Sequence, residues 1–375
     1  MNSYKPSLFA GVALAAACFA CGPSQVQIDP KSVVDVQVRP ASGQALFCPG
    51  DPFQVEVVAK LKDGSTCSNV DGKRGCLGQK DAVIDKSQIQ IEASPGGWEN
   101  DNFVFKAPAD PLASASTGVA LSAWIQSKEG GRSPKGERVL APVYDCQRER
   151  VFFAQQPGQN GENGAPGPDL RVSVTSLSTP WFPNGALIRV QVGNEAVYLV
   201  SPSADRPVRV VSRGQDGAVG APGTPGQDGA AGADATVDCG RGGDGQPGTD
   251  GGPGGKGGDG GPGGKITLEL DDAKSEELRS RVILASLGGA AGPPGPGGAA
   301  GQGGKGGAGG WTQPSCADQD LAGKPGTPGK DGEAGAPGLP GVAGPTPEST
   351  SMSRSAMFGG ELELIRKIEA TPRAK

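Results

Sequence analysis

Along the chain, apolar and polar positions alternate in short stretches separated by clusters of Gly, Pro, Asp and Ser. VVDVQVR (33–39), FQVEVVAKL (53–61), QIQIEA (88–93), FVFKA (103–107), GVALSAWIQ (118–126) and RVLAPVY (138–144) read as strands, with the two-residue period clearest in the first three. Short strands at this spacing predict a β-sandwich over 33–155. A second strand-rich segment covers 170–212 (LRVSVTSL, ALIRVQV, AVYLVS, PVRVVS), and KITLEL (265–270), RVILASL (281–287) and GELELIRKI (360–368) predict further strands.

Between these stretches a different period takes over. Glycine recurs at every third residue in five runs: Gly158–Gly167, Gly214–Gly232, Gly242–Gly263, Gly289–Gly310 and Gly323–Gly344, named runs one to five below. The four long runs are nearly equal in length. Short irregular breaks holding Cys239 and Cys316 separate runs two from three and four from five, whereas the break between three and four holds two strands. The sequence therefore predicts a path that leaves a strand at Ser212, turns at Cys239, returns to KITLEL, leaves again after RVILASL, turns at Cys316 and returns to GELELIRKI. Both cysteines fall at one end, where they can pair.

Triplet glycine puts the backbone in a polyproline-II helix, which makes no hydrogen bonds within itself and has one face without side chains. Its N–H and C=O groups need water or a neighbour. Six triplets of run three and four of run four carry a second glycine, which bares a second face, while runs two and five carry none. The middle runs are thus expected to be packed from two sides and the outer runs from one. Each run of ~24 residues would span roughly 70–75 Å at 3.1 Å per residue. The fold class expected is mainly β plus polyproline-II: a β-sandwich followed by a β-capped antiparallel bundle of Gly-X-Y helices. The competing reading is a trimeric collagen-like stalk, and a flexible linker is the third.

Composition narrows the chemistry. There is no histidine among 375 residues, which excludes imidazole-based zinc, haem or copper sites and Ser-His-Asp or Cys-His catalysis. The net charge of −5 with interspersed signs argues against nucleic acid as a partner. The glycine runs are neither phosphate loops, since no GxxxxGK[ST] opens a helix, nor nonapeptide calcium repeats, which need an apolar frame position. No enzyme activity and no cofactor are expected.

The chain opens MNSYKPSLFAGVALAAACFACGPSQ. Lys5 precedes an apolar run from Leu8 to Ala20, too short to span a bilayer and laid out like a secretory signal. Its end resembles a bacterial lipobox, which implies lipidation of Cys21, with Cys18 as the competing position. Of the remaining cysteines, Cys67 and Cys76 flank a compact turn-rich loop and would pair locally; Cys48 and Cys146 would then tie an early strand to a late one, although the four can also pair otherwise.

FCPGDPFQVEVVAKLKDG is similar to the opening of bacterial immunoglobulin-like domains. The triplet runs resemble both the glycine-rich bundles of a snow-flea antifreeze protein and phage tail-fibre adhesin tips, and, in GKPGTPGKDGEAGAPGLPGVAG, bacterial collagen-like surface proteins. The organisation expected is a signal peptide at 1–21, a tether at 22–32, an immunoglobulin-like sandwich at 33–155, a short Gly-X-Y linker at 156–169, a β-cap at 170–213, a polyproline-II bundle at 214–346 with inserted strands at 265–287, and a C-terminal strand and tail at 347–375. The function expected is a structural or adhesive surface lipoprotein, held to the outer membrane or cell surface by its lipid, with a glycan or protein as ligand and Trp311 as the tip contact. A monomer is favoured over a homotrimer. Ice binding fits poorly, because the X positions form no regular Thr row.

Overall fold

The computed structural model describes residues 23–70, 76–100, 102–153, 161–310 and 321–372. Regular structure there is mainly β, nineteen strands against three short α-helices. The chain divides into two compact units, one drawn from residues 1–45, 52–106 and 119–140, the other from 46–51, 107–118 and 141–375.

The first unit holds β1 (Gln25–Val26), β2 (Val33–Pro40), β4 (Pro52–Leu61), β5 (Thr66–Ser68), β6 (Val83–Ile84), β7 (Ile89–Ser94), β8 (Gly97–Asn100), β9 (Val104–Lys106), β10 (Val119–Ile125) and most of β11 (Gly136–Pro142); β3 (Leu46–Phe47) lies in the second. One sheet has the order β2-β4-β9-β8, with β5 also on β4, and in another β10 lies between β7 and β11. The six stretches read as strands from the sequence all contain strands. Val36, Val38, Val55 and Val57 from the first sheet and Leu121, Ala123 and Ile125 from the second are buried. At roughly 1.5–3 kcal/mol for each fully buried large aliphatic side chain, this alternation is the main stabilising term of the unit. The buried Glu56 is held by Arg39 at 2.9 Å and Ser68 at 3.1 Å. Trp124 is buried under Arg132, whose guanidinium sits 4.0 Å from the ring centroid, while Trp98 packs edge-on against Phe105.

In the second unit two sheets enclose one core. The three-stranded sheet has the order β12-β16-β18, formed by Glu149–Phe153, Val208–Arg213 and Val282–Leu287, all parallel. The five-stranded sheet has the order β15-β14-β13-β17-β19, formed by Glu195–Ser201, Gly185–Val192, Leu170–Leu177, Ile266–Asp271 and Glu348–Met352. Val172, Val174, Ile188, Leu268, Val208 and Val210 fill the space between them. β14 and β15 form a hairpin over Gly193-Asn194, where Gly193 takes the positive φ of 57° that such a tight turn requires.

The two strands expected at 265–287 therefore do not pair with each other: β17 joins one sheet and β18 the other. Between them lies α1 (Ser275–Arg279). GELELIRKI is also corrected. The C-terminal strand is β19, and 362–368 of that stretch falls in α3 (Leu362–Glu369), after α2 (Arg354–Met357). The ELEL alternation suggested a strand, but the apolar residues that bury are Ile365 and Ile368, three apart, alongside Met357 and Phe358. Lys367 and Glu363, four apart and 2.9 Å from each other, support the helix.

Every strand of the three-stranded sheet precedes a glycine run, and β13, β17 and β19 each follow one. The chain thus leaves by one sheet and re-enters by the other, three times. Each passage adds a parallel strand to both.

Candidate functional site

Within the runs, glycine N–H groups donate to other runs at nearly every triplet. Run two donates to run four in parallel, from Gly217 to Ala290 through Gly232 to Lys305, and run three to run five in parallel, from Gly245 to Lys324 through Gly263 to Val342. Run four donates to run three in antiparallel sense (Gly292 to Gly258, Gly307 to Gly243), and run five to run four (Gly326 to Gly304, Gly341 to Gly289). The second residues of seven run-three triplets donate to run two, as from Thr249 to Gln227, and the eighth, Gly264, donates to Ser212 Oγ. Run one, expected as a linker, is bonded to runs two and three through Gln215 to Ala165, Ala218 to Glu162, Gly164 to Asp259 and Gly167 to Pro262. Run three thus bonds to all four others. Run two, expected to be packed from one side, bonds to three.

These contacts explain three of the six second glycines of run three. A Cβ on Gly258, Gly261 or Gly264 would collide with the carbonyl oxygens of Glu162, Ala165 and Pro168 of run one. Beyond the described part of run one, the same triplet position carries Gln246 and Thr249. At Gly243, the nearest atom a Cβ would meet is Ala233 N at 3.1 Å.

A second rule governs the third residue of each triplet. Asn163, Asp169, Asp216, Asp228, Asp234, Asp244, Asp250, Asp259 and Asp331 all occupy third positions, and each accepts a backbone N–H from another run or its adjoining strand through its side chain, at 2.7–2.8 Å. These side chains are brackets between chain segments. Third-position N–H groups donate to no backbone carbonyl among the described residues. Proline, which lacks an N–H, occupies only third positions in runs two and three and in run five up to Ala343. The signal was legible: within the runs Asp and Asn occur only third, Gln and Glu only second.

The spacing of the brackets continues the sheet registers. Asp216, Asp228 and Asp234 each reach 74 residues ahead, the offset at which Val208 pairs with Val282. Asn163 and Asp169 bracket residues 96 ahead, and in the adjoining strands Ser173 meets Glu269 and Thr175 meets Asp271 at that same separation. Asp259 ionises below its ordinary range, because Lys256 and the Leu339 N–H both bond to its carboxylate.

Of the residues singled out by sequence, Cys48 is bonded to Cys146 and Cys67 to Cys76. Cys239 is disulfide-bonded and sits at a turn with a left-handed φ of 56°. Its expected partner Cys316, the tip residue Trp311 and the lipidation candidates Cys18 and Cys21 lie outside the described residues. Cys48, Cys146 and Asp51 bring donor atoms within 4.8 Å of one another, but the disulfide consumes both thiolates a metal would need. A groove of about 510 Å³ in the first unit is lined by Glu92, Ser122, Glu137 and Lys135, the last lying 3.3 Å from each of the two glutamates, whose hydrogen bonds raise its pKa. This is a solvated ion network open to water, in which Ser122 Oγ donates to Glu92 at 3.2 Å. No described helix is long and apolar enough to cross a membrane. No protein family, curated protein or solved structure matches the chain.

Proposed function

We propose that the chain is a non-enzymatic exported lipoprotein, a structural or adhesive surface module whose glycine runs form an antiparallel polyproline-II bundle capped by the two sheets. The observation that carries this reading is that the N–H groups of the triplet-leading glycines of runs two to four, and of those in run five from Gly323 to Gly341, are used within one chain. In a three-chain collagen-like stalk the same groups donate to other chains. A side-by-side pack of short triplet helices needs no cofactor and offers extended faces, which suits display, spacing or adhesion to a glycan or protein.

The address rests on the N-terminal sequence. Acyl chains on Cys21 would tether the module to the outer membrane or cell surface without a membrane-spanning helix. Mass spectrometry of the N-terminal peptide from membrane-extracted protein tests this. Acylation at Cys21, with Cys21→Ser releasing the chain into the soluble fraction, is the expected result. An unmodified N-terminal peptide and an unchanged fractionation overturn it.

A further inference from the structure

Run five turns one face to the bundle and two to solvent. A Cβ on Gly335, Gly338 or Gly341 would lie 2.0, 1.9 and 2.0 Å from carbonyl oxygens of run three, so these glycines form the bundle face. Ala336, Pro337, Leu339, Pro340, Val342 and Ala343, the second and third residues of the same triplets, are all exposed. Leu339 and Val342, at 64% and 70%, are two of the three most exposed large apolar side chains among the described residues.

This stripe is not an unfinished packing face. Run three admits run one alongside it through bare second positions at Gly258, Gly261 and Gly264. From Gly323 to Ala343, run five has no glycine at a second or third position. The carbonyls of Ala336, Leu339 and Val342 already accept from run three, whereas those of Pro337 and Pro340 accept no bond among the described residues. The flank thus presents a fixed polyproline-II backbone, a side chain at every outward position and free proline carbonyls.

Pro337-Gly-Leu-Pro340 is a PxxP segment. With three residues per turn its prolines fall on one edge, about 9 Å apart, and Ala336 and Leu339 line the next edge. Aromatic-lined grooves take up such paired X-Pro units, and a helix already held in shape loses little entropy on docking. We propose that this flank of run five is an interaction surface for a partner protein that reads polyproline II through an aromatic-lined groove, with Leu339 setting the preference. The PxxP segments at 222–225 and 325–328 share the spacing but place Thr224 and Thr327 where this one has Leu339. The inference gives the chemistry of the protein ligand in the adhesive reading above, and rests on that reading's single-chain bundle.

The probe is an array of SH3 and WW domains, two classes of aromatic-groove reader, titrated with the labelled full chain. Saturable binding to members of the array is expected, weakened about tenfold by Leu339→Asp and unchanged by Val219→Asp, an exposed apolar site on run two. The free peptide APGLPGVA (336–343) is expected to bind about tenfold more weakly than the chain, because it must first be ordered. Hydrogen exchange at Gly335, Gly338 and Gly341, whose amides donate to run four, reports on the bundle separately in the parent and in both variants. Protected amides with no array member bound, or an equal loss of binding with Val219→Asp, overturn the inference and leave the bundle standing; unprotected amides in the parent overturn both. Dimers of the chain abolished by Leu339→Asp would put a second copy on this flank and overturn the assignment of a separate partner.

Discussion

Asp259 accepts the backbone N–H of Leu339, 80 residues further along the chain, at 2.8 Å. The carboxylate is the third residue of its triplet and the amide the second residue of another, so the bond fixes the register of two parallel runs. It also occupies a donor that the glycine ladder leaves unused. Eight other third-position Asp or Asn side chains accept backbone N–H groups across the runs and their adjoining strands, five from second and three from third residues.

Removing one bracket should therefore cost about one net hydrogen bond, roughly 1 kcal/mol. Asp228→Ala is expected to lower the thermal midpoint by a few degrees, while Asp228→Asn, which keeps an accepting oxygen, stays near the parent. Equal destabilisation by both variants in a melting experiment would show that charge, rather than the accepted N–H, is what matters there.

The two classes of second-position glycine should respond differently to alanine. Gly258→Ala drives a methyl into the Glu162 carbonyl and, with no side chain able to yield, is expected to cost at least 1–3 kcal/mol, as overpacking does. Gly243→Ala comes no nearer than 3.1 Å to any atom, Ala233 N, and also narrows the unfolded ensemble, so it should cost far less than Gly258→Ala. Chemical denaturation of the two variants separates these cases; identical midpoints would contradict the packing of run one against run three.

Acid should loosen the runs. The Asp259 carboxyl is held below its ordinary value of 3.8 by Lys256 and the Leu339 amide. Its contribution is therefore complete above that value and is lost as pH falls through the lowered one. Amide exchange at Leu339 is expected to speed up relative to neighbouring glycines below about pH 4, whereas a ratio that holds steady down to pH 2 would argue against the bracket.

The disulfides differ in the length of chain they close. Cys48–Cys146 spans 98 residues and Cys67–Cys76 spans 9. By loop-closure entropy these are worth about 5 and about 2.5 kcal/mol respectively. Cys48→Ser with Cys146→Ser should lower the urea midpoint more than Cys67→Ser with Cys76→Ser, and the reverse order would place the strain of the fold elsewhere.

Much of this organisation was legible because triplet phase is a strict signal. The positions of the runs, the breaks between them and most strands could be read directly, since apolar alternation marks a half-buried strand. The partition of strands between two sheets could not be read. Ile266 and Val282 look alike in sequence, and only the chain's habit of leaving by one sheet and returning by the other separates them. α3 was missed because two leucines in ELEL mimic a strand while Ile365 and Ile368 do the packing. The aspartate brackets were present in the sequence as an invariant third position, but a count of outward residues by type conceals a rule about phase.

Light scattering of the unreduced full chain during size exclusion tests the central proposal most directly. If the glycine donors are satisfied within one chain, dilute protein has the mass of a single chain, and Cys239 is linked within that chain. A stable species of three chains would contradict the account and reassign the same glycines to a collagen-like trimer.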